Sequence, residues 1–204
     1  MVKMSHHKHR KELGIEKKSS IRIIIGGPPN SGKSTFAVRI TRALQDIAVD
    51  ADHKELDLWS QTIEFIIGNM TKEDRDSRKR TNVTTKEVTT AVQEFKSLSQ
   101  SHVIAIGDGP GRISKESEMI FKVATHGIIV CKEDETEKID EWKQFFKKIG
   151  VRVVVIIVSK LNGDEKIISS DTIIEAEISG LDRKPTVTPI MLRLAHLLKR
   201  DLGI

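Results

Sequence analysis

The chain has 204 residues, of which 38% are hydrophobic and 31% charged, with a formal net charge of +5. This length suits one α/β domain with a core large enough to fold alone. No apolar run approaches the roughly 20 residues that span a bilayer, and residues 1–20 lack the apolar stretch of a signal peptide. The absence of such runs leads us to expect no membrane partner. The single cysteine, Cys131, excludes an internal disulfide, which is typical of a cytoplasmic protein.

The positive charge is concentrated at the N-terminus. Residues 1–20 contain six lysines or arginines against two glutamates, while residues 21–204 are almost neutral. We predict that residues 1–20 form a basic flexible tail and that residues 21–204 form the folded domain. A protein that binds nucleic acid usually carries its basic charge on the folded body. Any contact with nucleic acid is therefore expected through the tail alone.

The most specific motif follows the first predicted strand, Ile21–Ile25. Residues Gly27–Ser34 read Gly-Pro-Pro-Asn-Ser-Gly-Lys-Ser, ahead of a helix predicted at about 32–47. Glycines let backbone N–H groups curve around a polyphosphate, and the N-terminus of a helix favours its negative charge. The pattern G-x4-G-K-S between a strand and a helix predicts a P-loop that binds a nucleotide.

Two side chains of this loop have predicted roles. Lys33 is expected at the surface, where it reaches the β- and γ-phosphates, and the Ser34 hydroxyl is expected to take one position on Mg²⁺. The predicted nucleotide-binding residues of the loop are Gly27, Pro28, Pro29, Asn30, Ser31, Gly32, Lys33, Ser34 and Thr35.

Asp57 follows an extended segment predicted near 48–58. It is expected at the carboxyl edge of the sheet, where it would orient the attacking group or support Mg²⁺. The alternative is an acid that complements the N-terminus of a helix predicted at about 59–70.

The stretch 71–82 is crowded with charged residues and is predicted to be exposed and mobile. Arg78 and Arg80 are candidates for a lid that places a guanidinium over the γ-phosphate. A solvated charged surface is the more frequent explanation for such a run, and it stays open here.

A second phosphate-side motif follows a helix predicted at 84–98 and a strand predicted at 102–107. The strand leads into Asp108-Gly109-Pro110-Gly111. A carboxylate at the end of a buried strand suits the Walker B position, which holds Mg²⁺, and D-x-x-G can turn the Gly111 N–H towards a γ-phosphate. A turn without a ligand is the alternative. Arg112 is a further catalytic candidate by position.

The remaining pattern alternates strands and helices. Helices are predicted near 114–123 and 139–149, and strands at 127–131, 151–158 and 173–178. A last helix begins with Thr188 as N-cap and Pro189 as its first residue. The sum predicts an α/β domain with a mostly parallel sheet, helices on both faces and the P-loop NTPase fold.

The sequence gives only a weak indication of whether the protein binds adenine or guanine nucleotides. The segment 159–162, Ser-Lys-Leu-Asn, departs from the N-K-x-D loop that reads guanine, because Asn162 stands where the carboxylate belongs. ATP is therefore preferred over GTP as the expected nucleotide. Lys160 is a candidate to stack near the base, and Arg183 is a candidate in the loop after the last predicted strand.

Four segments together resemble one group of proteins: Gly27–Ser34, Asp108–Gly111, Ala124–Ile129 and Ser179–Arg183. They resemble the P-loop kinase-like domain fused to ring nucleases in some type III CRISPR-associated proteins, over about 21–202. The ring nuclease module is missing, so its activity is not implied.

The organisation also resembles the dethiobiotin-synthetase-like branch of P-loop proteins. Partner-activating variants of that branch carry a lysine five residues before the P-loop lysine. This chain has Pro28 there, which argues against dimer-dependent activation.

Three functions are compatible with these motifs. The first is a Mg²⁺-dependent, kinase-like phosphotransferase or ligase that uses ATP on an unidentified small molecule. The second is an ATP-hydrolysing regulatory switch with a protein partner or a partner in nucleic-acid defence. The third, a nucleotide-binding module with little turnover, is disfavoured because Lys33, Ser34 and Asp108 are all present. A homodimer remains an alternative to a monomer.

Overall fold

The computed structural model describes residues 20–60, 62–77, 79–181 and 185–204. The predicted tail, apart from Ser20, lies outside the described residues, as do Arg78 and Arg183. Within the described part, seven strands form one sheet in the order β2-β3-β1-β4-β5-β7-β6. The strands are β1 (Ile21–Gly26), β2 (Ala51–Glu55), β3 (Ile104–Asp108), β4 (His126–Lys132), β5 (Arg152–Lys160), β6 (Lys166–Ser169) and β7 (Ile174–Ser179).

Helices cover both faces of this sheet. They are α1 (Lys33–Asp46), α2 (Ile63–Ile66), α3 (Lys72–Ser77), α4 (Thr85–Ser101), α5 (Lys115–Phe121), α6 (Lys138–Lys148) and α7 (Pro189–Asp201), with a 3₁₀ turn at Glu133–Glu135. Helices α1 and α7 bury their apolar sides in one core, and α4, α5 and α6 bury theirs in a second core on the opposite face. The predicted α/β architecture is confirmed. Among the described helices, none is long and apolar enough to cross a bilayer.

All neighbouring strands pair in parallel except β6 and β7, which are antiparallel. Ile25 of β1 and Glu55 of β2 both lie in register with Asp108 of β3. Lys160 of β5 lies in register with Ser179 of β7. The carboxyl ends of the parallel strands therefore meet at one edge of the sheet, and the P-loop leaves β1 at this edge.

The structure corrects three predicted elements. The helix predicted at 59–70 is only Ile63–Ile66, because Asp57 accepts N–H bonds in a turn before it and Gly68 adopts φ +86° after it. The stretch 71–82, predicted to be exposed and mobile, contains helix α3, which was not predicted and whose start is organised by a hydrogen bond from the Asp74 N–H to the Thr71 hydroxyl. Strand β6 was not predicted, since four residues that are half exposed carry little periodicity.

Candidate functional site

The loop between β1 and α1 depends on its glycines. Gly27 has φ +143°, and a Cβ atom there would lie 1.9 Å from the carbonyl oxygen of Val130. Gly32 has φ +87°, and a Cβ atom there would lie 2.6 Å from Cβ of Leu181. Any larger residue would push the loop away from the sheet or from the loop after β7. The loop therefore curves tightly between β4 and Leu181, as a phosphate-binding loop requires.

Lys33 lies under this loop and not at the surface, so the expectation of an exposed lysine is wrong. Its residue is 7% exposed, and its Nζ atom donates a 2.7 Å hydrogen bond to the carbonyl oxygen of Pro28. Burial lowers the pKa of Lys33, while the negative charges of Asp108 and Asp57 oppose that shift. The loop therefore folds over the lysine and holds its ammonium group through the Pro28 carbonyl.

The Walker B candidate is a buried carboxylate. Asp108 is 1% exposed, and neither of its carboxylate oxygens has a hydrogen-bond partner among the described residues. Burial raises the pKa of Asp108 to about 6, and the neighbouring Ser34 hydroxyl and the Lys33 charge oppose that shift. A buried carboxylate without a partner costs folding free energy unless a cation compensates it.

The Asp108 carboxylate and the Ser34 hydroxyl are oxygen ligands of the kind that Mg²⁺ uses in nucleotide-binding sites. Among the described residues, no group of three or more His, Cys, Asp or Glu side chains could hold a metal alone. Mg²⁺ commonly binds one or two protein ligands and completes its shell with water and phosphate oxygens. Asp108 and the Ser34 hydroxyl suit that arrangement, with a nucleotide supplying the remaining oxygens.

Asp57 lies close enough to Lys33 to raise the pKa of that lysine, and the Asp57 carboxylate also stabilises a turn. One carboxylate oxygen accepts the N–H groups of Trp59 at 3.1 Å and of Ser60 at 3.2 Å. Burial raises the pKa of Asp57, and the charge of Lys33 opposes that shift. The structure thus brings Asp57 to the same edge of the sheet as Lys33. The two hydrogen bonds from Trp59 and Ser60 hold the Asp57 carboxylate in place.

The candidate arginines differ in their surroundings. Arg112 is exposed, and its guanidinium lies 4.9 Å from the centre of the Trp59 ring. The preceding Gly111 packs against the loop, since a Cβ atom there would lie 3.0 Å from Cα of Pro29. Arg80 pairs with Glu87 at 2.6 Å, in the first turn of α4, so its guanidinium is already bound. The role predicted for Arg78 concerns a residue outside the described ones.

The structure adds Glu55 and Thr62 to the site. Glu55 ends β2, and its Oε1 atom accepts the N–H groups of Thr62 and of Ile63, the latter at 3.1 Å. Burial raises the pKa of Glu55 to about 7. The Thr62 hydroxyl oxygen lies 3.1 Å from the Ser34 hydroxyl oxygen. The strand-end position of Glu55 was a usable sequence signal, whereas nothing local marks Thr62, which meets Ser34 across 28 positions.

The base-side candidates lie near the ends of β5 and β7. Lys160 forms an ion pair with Glu177, which raises the pKa of Lys160, while burial opposes that shift. A cavity of about 660 Å³ opens beside them, and its lining includes Gly163, Asp164, Glu165, Ser179, Gly180 and Thr188. Arg39 of α1 donates to the carbonyl oxygens of Ser179 at 3.1 Å and Gly180 at 2.6 Å. The P-loop helix is thereby tied to the cavity wall.

Solved structures share this architecture. MinD, the septum site-determining protein from Pyrococcus horikoshii OT3 complexed with Mg-ADP, has a TM-score of 0.52 and 12% identity over 86% of this chain and 77% of that chain. The cell division ATPase MinD from Pyrococcus furiosus has a TM-score of 0.52 and 11% identity over 87% and 80%. This chain has the P-loop NTPase fold.

A third structure with this fold is the MinC:MinD cell division complex from Aquifex aeolicus, with a TM-score of 0.52 and 17% identity over 70% of this chain and 69% of that chain. No protein-family model matches the sequence, and the comparison with curated proteins gives no match. In this P-loop NTPase fold, the candidate residues Lys33, Ser34, Asp57 and Asp108 lie at one sheet edge, while the Lys160 carbonyl accepts the N–H of Gly180 in the cavity wall.

Proposed function

We propose that this protein binds Mg²⁺ and ATP and hydrolyses the nucleotide as a regulatory switch. The observation that carries the proposal is the buried Asp108 carboxylate, which has no hydrogen-bond partner among the described residues and lies beside Ser34 and Lys33 of the P-loop. Such a carboxylate is costly in a folded protein unless it serves a cation. MinD structures with this fold include an ATPase and a Mg-ADP complex, which supports the same ligand class here.

Each residue contributes one function in this proposal. Backbone N–H groups of residues 27–35 bind the phosphates, and Lys33 exchanges its bond to Pro28 for phosphate oxygens. Ser34 and Asp108 would hold Mg²⁺, which supplies charge stabilisation at the transferred phosphoryl group. The fixed carboxylate of Asp57 orients the attacking water.

The cavity of about 660 Å³ is the proposed site of the base and ribose. It adjoins the P-loop helix through Arg39. Its lining offers backbone groups and hydroxyls, which suit hydrogen bonds to an adenosine. The stacking role of Lys160 stays a prediction, since the Lys160 ammonium is paired with Glu177 and would expose only its aliphatic stem to a base.

A phosphotransferase or ligase that acts on a small molecule is the second candidate. It is favoured by Asp57, a half-buried carboxylate of raised pKa near Lys33, which suits a general base for an acceptor hydroxyl. The switch is preferred because Thr62 touches Ser34 directly and the chain after it leads to α3, a charged helix with no buried residue. The MinC:MinD complex gives a precedent of a protein partner on this fold. The resemblance to type III CRISPR-associated domains, and with it a nucleic-acid-defence role, stays a hypothesis.

Phosphate release from ATP, measured with Mg²⁺ and without any acceptor, tests the proposal. Release without an acceptor that is lost in Asp108→Asn supports the switch. Turnover that requires a member of a small-metabolite panel would instead establish the phosphotransferase. ATP binding without turnover in either assay would contradict both and leave a binding module.

A further inference from the structure

We infer that Thr62 supplies a second protein hydroxyl to the cation site, so that a bound Mg-nucleotide fixes the position of residues 62–77. We call these residues the tethered segment. The inference rests on the proposed Mg-nucleotide function. Thr62 is the residue through which binding or loss of the nucleotide would change the position of a surface segment.

The separation of the two hydroxyl oxygens is the first observation. The Oγ1 atom of Thr62 lies 3.1 Å from the Oγ atom of Ser34. Mg²⁺ binds six oxygens in an octahedron at 2.0–2.1 Å, so that neighbouring ligand oxygens lie about 2.9 Å apart. Two hydroxyls at this spacing can share one ion with little movement.

The Thr62 hydroxyl also lacks the capping role that its position in the chain would give it. Apart from Ser34, its hydrogen-bond partner among the described residues is the carbonyl oxygen of Ser60, to which it donates at 3.3 Å. Thr62 occupies the N-cap position of α2, yet its side chain makes no capping hydrogen bond. The hydroxyl is therefore not used to stabilise the helix, which is the ordinary function of a threonine at this position.

The backbone of Thr62 is anchored to the sheet. Glu55 accepts the N–H groups of Thr62 and Ile63, and Glu55 lies in register with Asp108. Ile63 is 5% exposed and adds an apolar anchor. Glu55 thus acts as a positioning residue that places the Thr62 hydroxyl next to Ser34. Glu55 and Asp108 end neighbouring strands, so both carboxylates lie at the same edge of the sheet.

The end of the tethered segment, helix α3, is exposed. Helix α3 has no buried residue, and its Arg75 stacks on Phe65 with the guanidinium 4.7 Å from the ring centre. Segments with few buried apolar contacts open at low free-energy cost. A ligand bond at Thr62 would consequently change the mobility of a charged surface that a partner can contact.

The test compares nucleotide affinity with and without Mg²⁺ in three variants. Thr62→Val removes the hydroxyl but keeps the shape, Thr62→Ser keeps the hydroxyl, and Thr89→Val removes an exposed hydroxyl that bonds only to Thr85 within α4. The measurement is titration of a fluorescent ATP analogue in EDTA and in Mg²⁺, with thermal melting to verify folding. We expect Thr62→Val to reduce the Mg²⁺-dependent gain in affinity about tenfold, the smaller of the losses seen around metal sites, with unchanged affinity in EDTA. Thr62→Ser and Thr89→Val should behave as wild type.

Tryptic cleavage at the exposed Lys72 and at Arg75 supplies a second readout that does not depend on activity. Mg-ATP should protect these sites in the wild type and in Thr62→Ser, and not in Thr62→Val. An unchanged Mg²⁺ gain and unchanged protection in Thr62→Val would overturn the inference, as would a larger Mg²⁺ gain, which would mean that Thr62 competes with the cation. If the wild type itself shows no Mg²⁺ gain, the proposed function fails and the inference fails with it.

Discussion

The ammonium group of Lys33 donates a 2.7 Å hydrogen bond to the carbonyl oxygen of Pro28, five residues earlier in the same loop. Pro28 has no backbone N–H, so it offers this lysine an acceptor without adding a donor to the loop. The bond compensates a buried ammonium whose pKa is lowered by desolvation. In the proposed function, phosphate oxygens would replace this carbonyl as the partner of Lys33.

Replacement of Lys33 by Met should remove most nucleotide affinity while the fold persists. Methionine keeps the length of the side chain, and a neutral group no longer bears the desolvation that lowers the pKa of Lys33. The melting temperature should therefore be unchanged or higher. Titration with a fluorescent nucleotide and a thermal melt measure both quantities, and wild-type affinity in a folded variant would refute the P-loop assignment.

The Asp108→Asn variant should bind nucleotide in EDTA nearly as well as the wild type but lose Mg²⁺-dependent turnover by orders of magnitude. The physical reason is that an amide is a weak ligand for Mg²⁺, while the buried position of Asp108 tolerates a neutral group. Phosphate release as a function of Mg²⁺ concentration gives the answer. If the variant hydrolyses ATP at the wild-type rate, Asp108 is only a turn residue.

Stability should depend on pH through Glu55. The pKa of Glu55 is raised from 4.5 to about 7 by burial, so the folded state holds its proton more tightly than the unfolded chain. Its contribution to stability is complete below the unfolded pKa and is lost as the pH rises through about 7. In metal-free buffer, the free energy of unfolding of the wild type should fall relative to Glu55→Gln from about pH 5 to about pH 8. Urea titrations of both proteins measure this difference, and parallel pH profiles would argue against a protonated Glu55.

ATP should bind at least as well as GTP. Asn162, exposed in the turn after β5, offers an amide where a guanine-reading loop presents a carboxylate. An unpaired buried donor costs about 1–3 kcal/mol, or roughly five- to 150-fold in affinity. Asn162→Asp should shift the preference towards GTP if this turn reaches the base. Competition of both nucleotides against a fluorescent analogue decides the matter, and a tenfold preference of the wild type for GTP would refute it.

Removal of residues 1–19 should leave the domain folded. The first described backbone bond of β1 runs from the Ile21 N–H to the carbonyl oxygen of Val103, so the sheet starts after the deleted part. Any affinity for RNA or DNA should disappear with the deletion and weaken steeply with salt. A fall in melting temperature of more than a few degrees would show that these residues stabilise the domain.

The sequence alone determined the fold class and located two candidate motifs, Gly27–Ser34 and Asp108–Gly111. Glycines at positions 27 and 32 are required by the backbone conformation of the loop, and β-branched strands alternating with amphipathic helices specify a parallel sheet. Lys33, Ser34 and Asp108 were identifiable because their chemistry is tied to short, local patterns. Even Thr188 and Pro189 at the start of α7 follow from local capping rules.

Only the tertiary structure decided which side chains meet. The burial of Lys33 depends on how the loop folds over it, and no local pattern reports this. Glu55 and Asp108 become neighbours through the pairing of β2 with β3, and Thr62 reaches Ser34 because Glu55 holds the backbone after β2. These contacts join residues far apart in the chain, so their geometry arises from the packing of the sheet and not from the periodicity of any one segment.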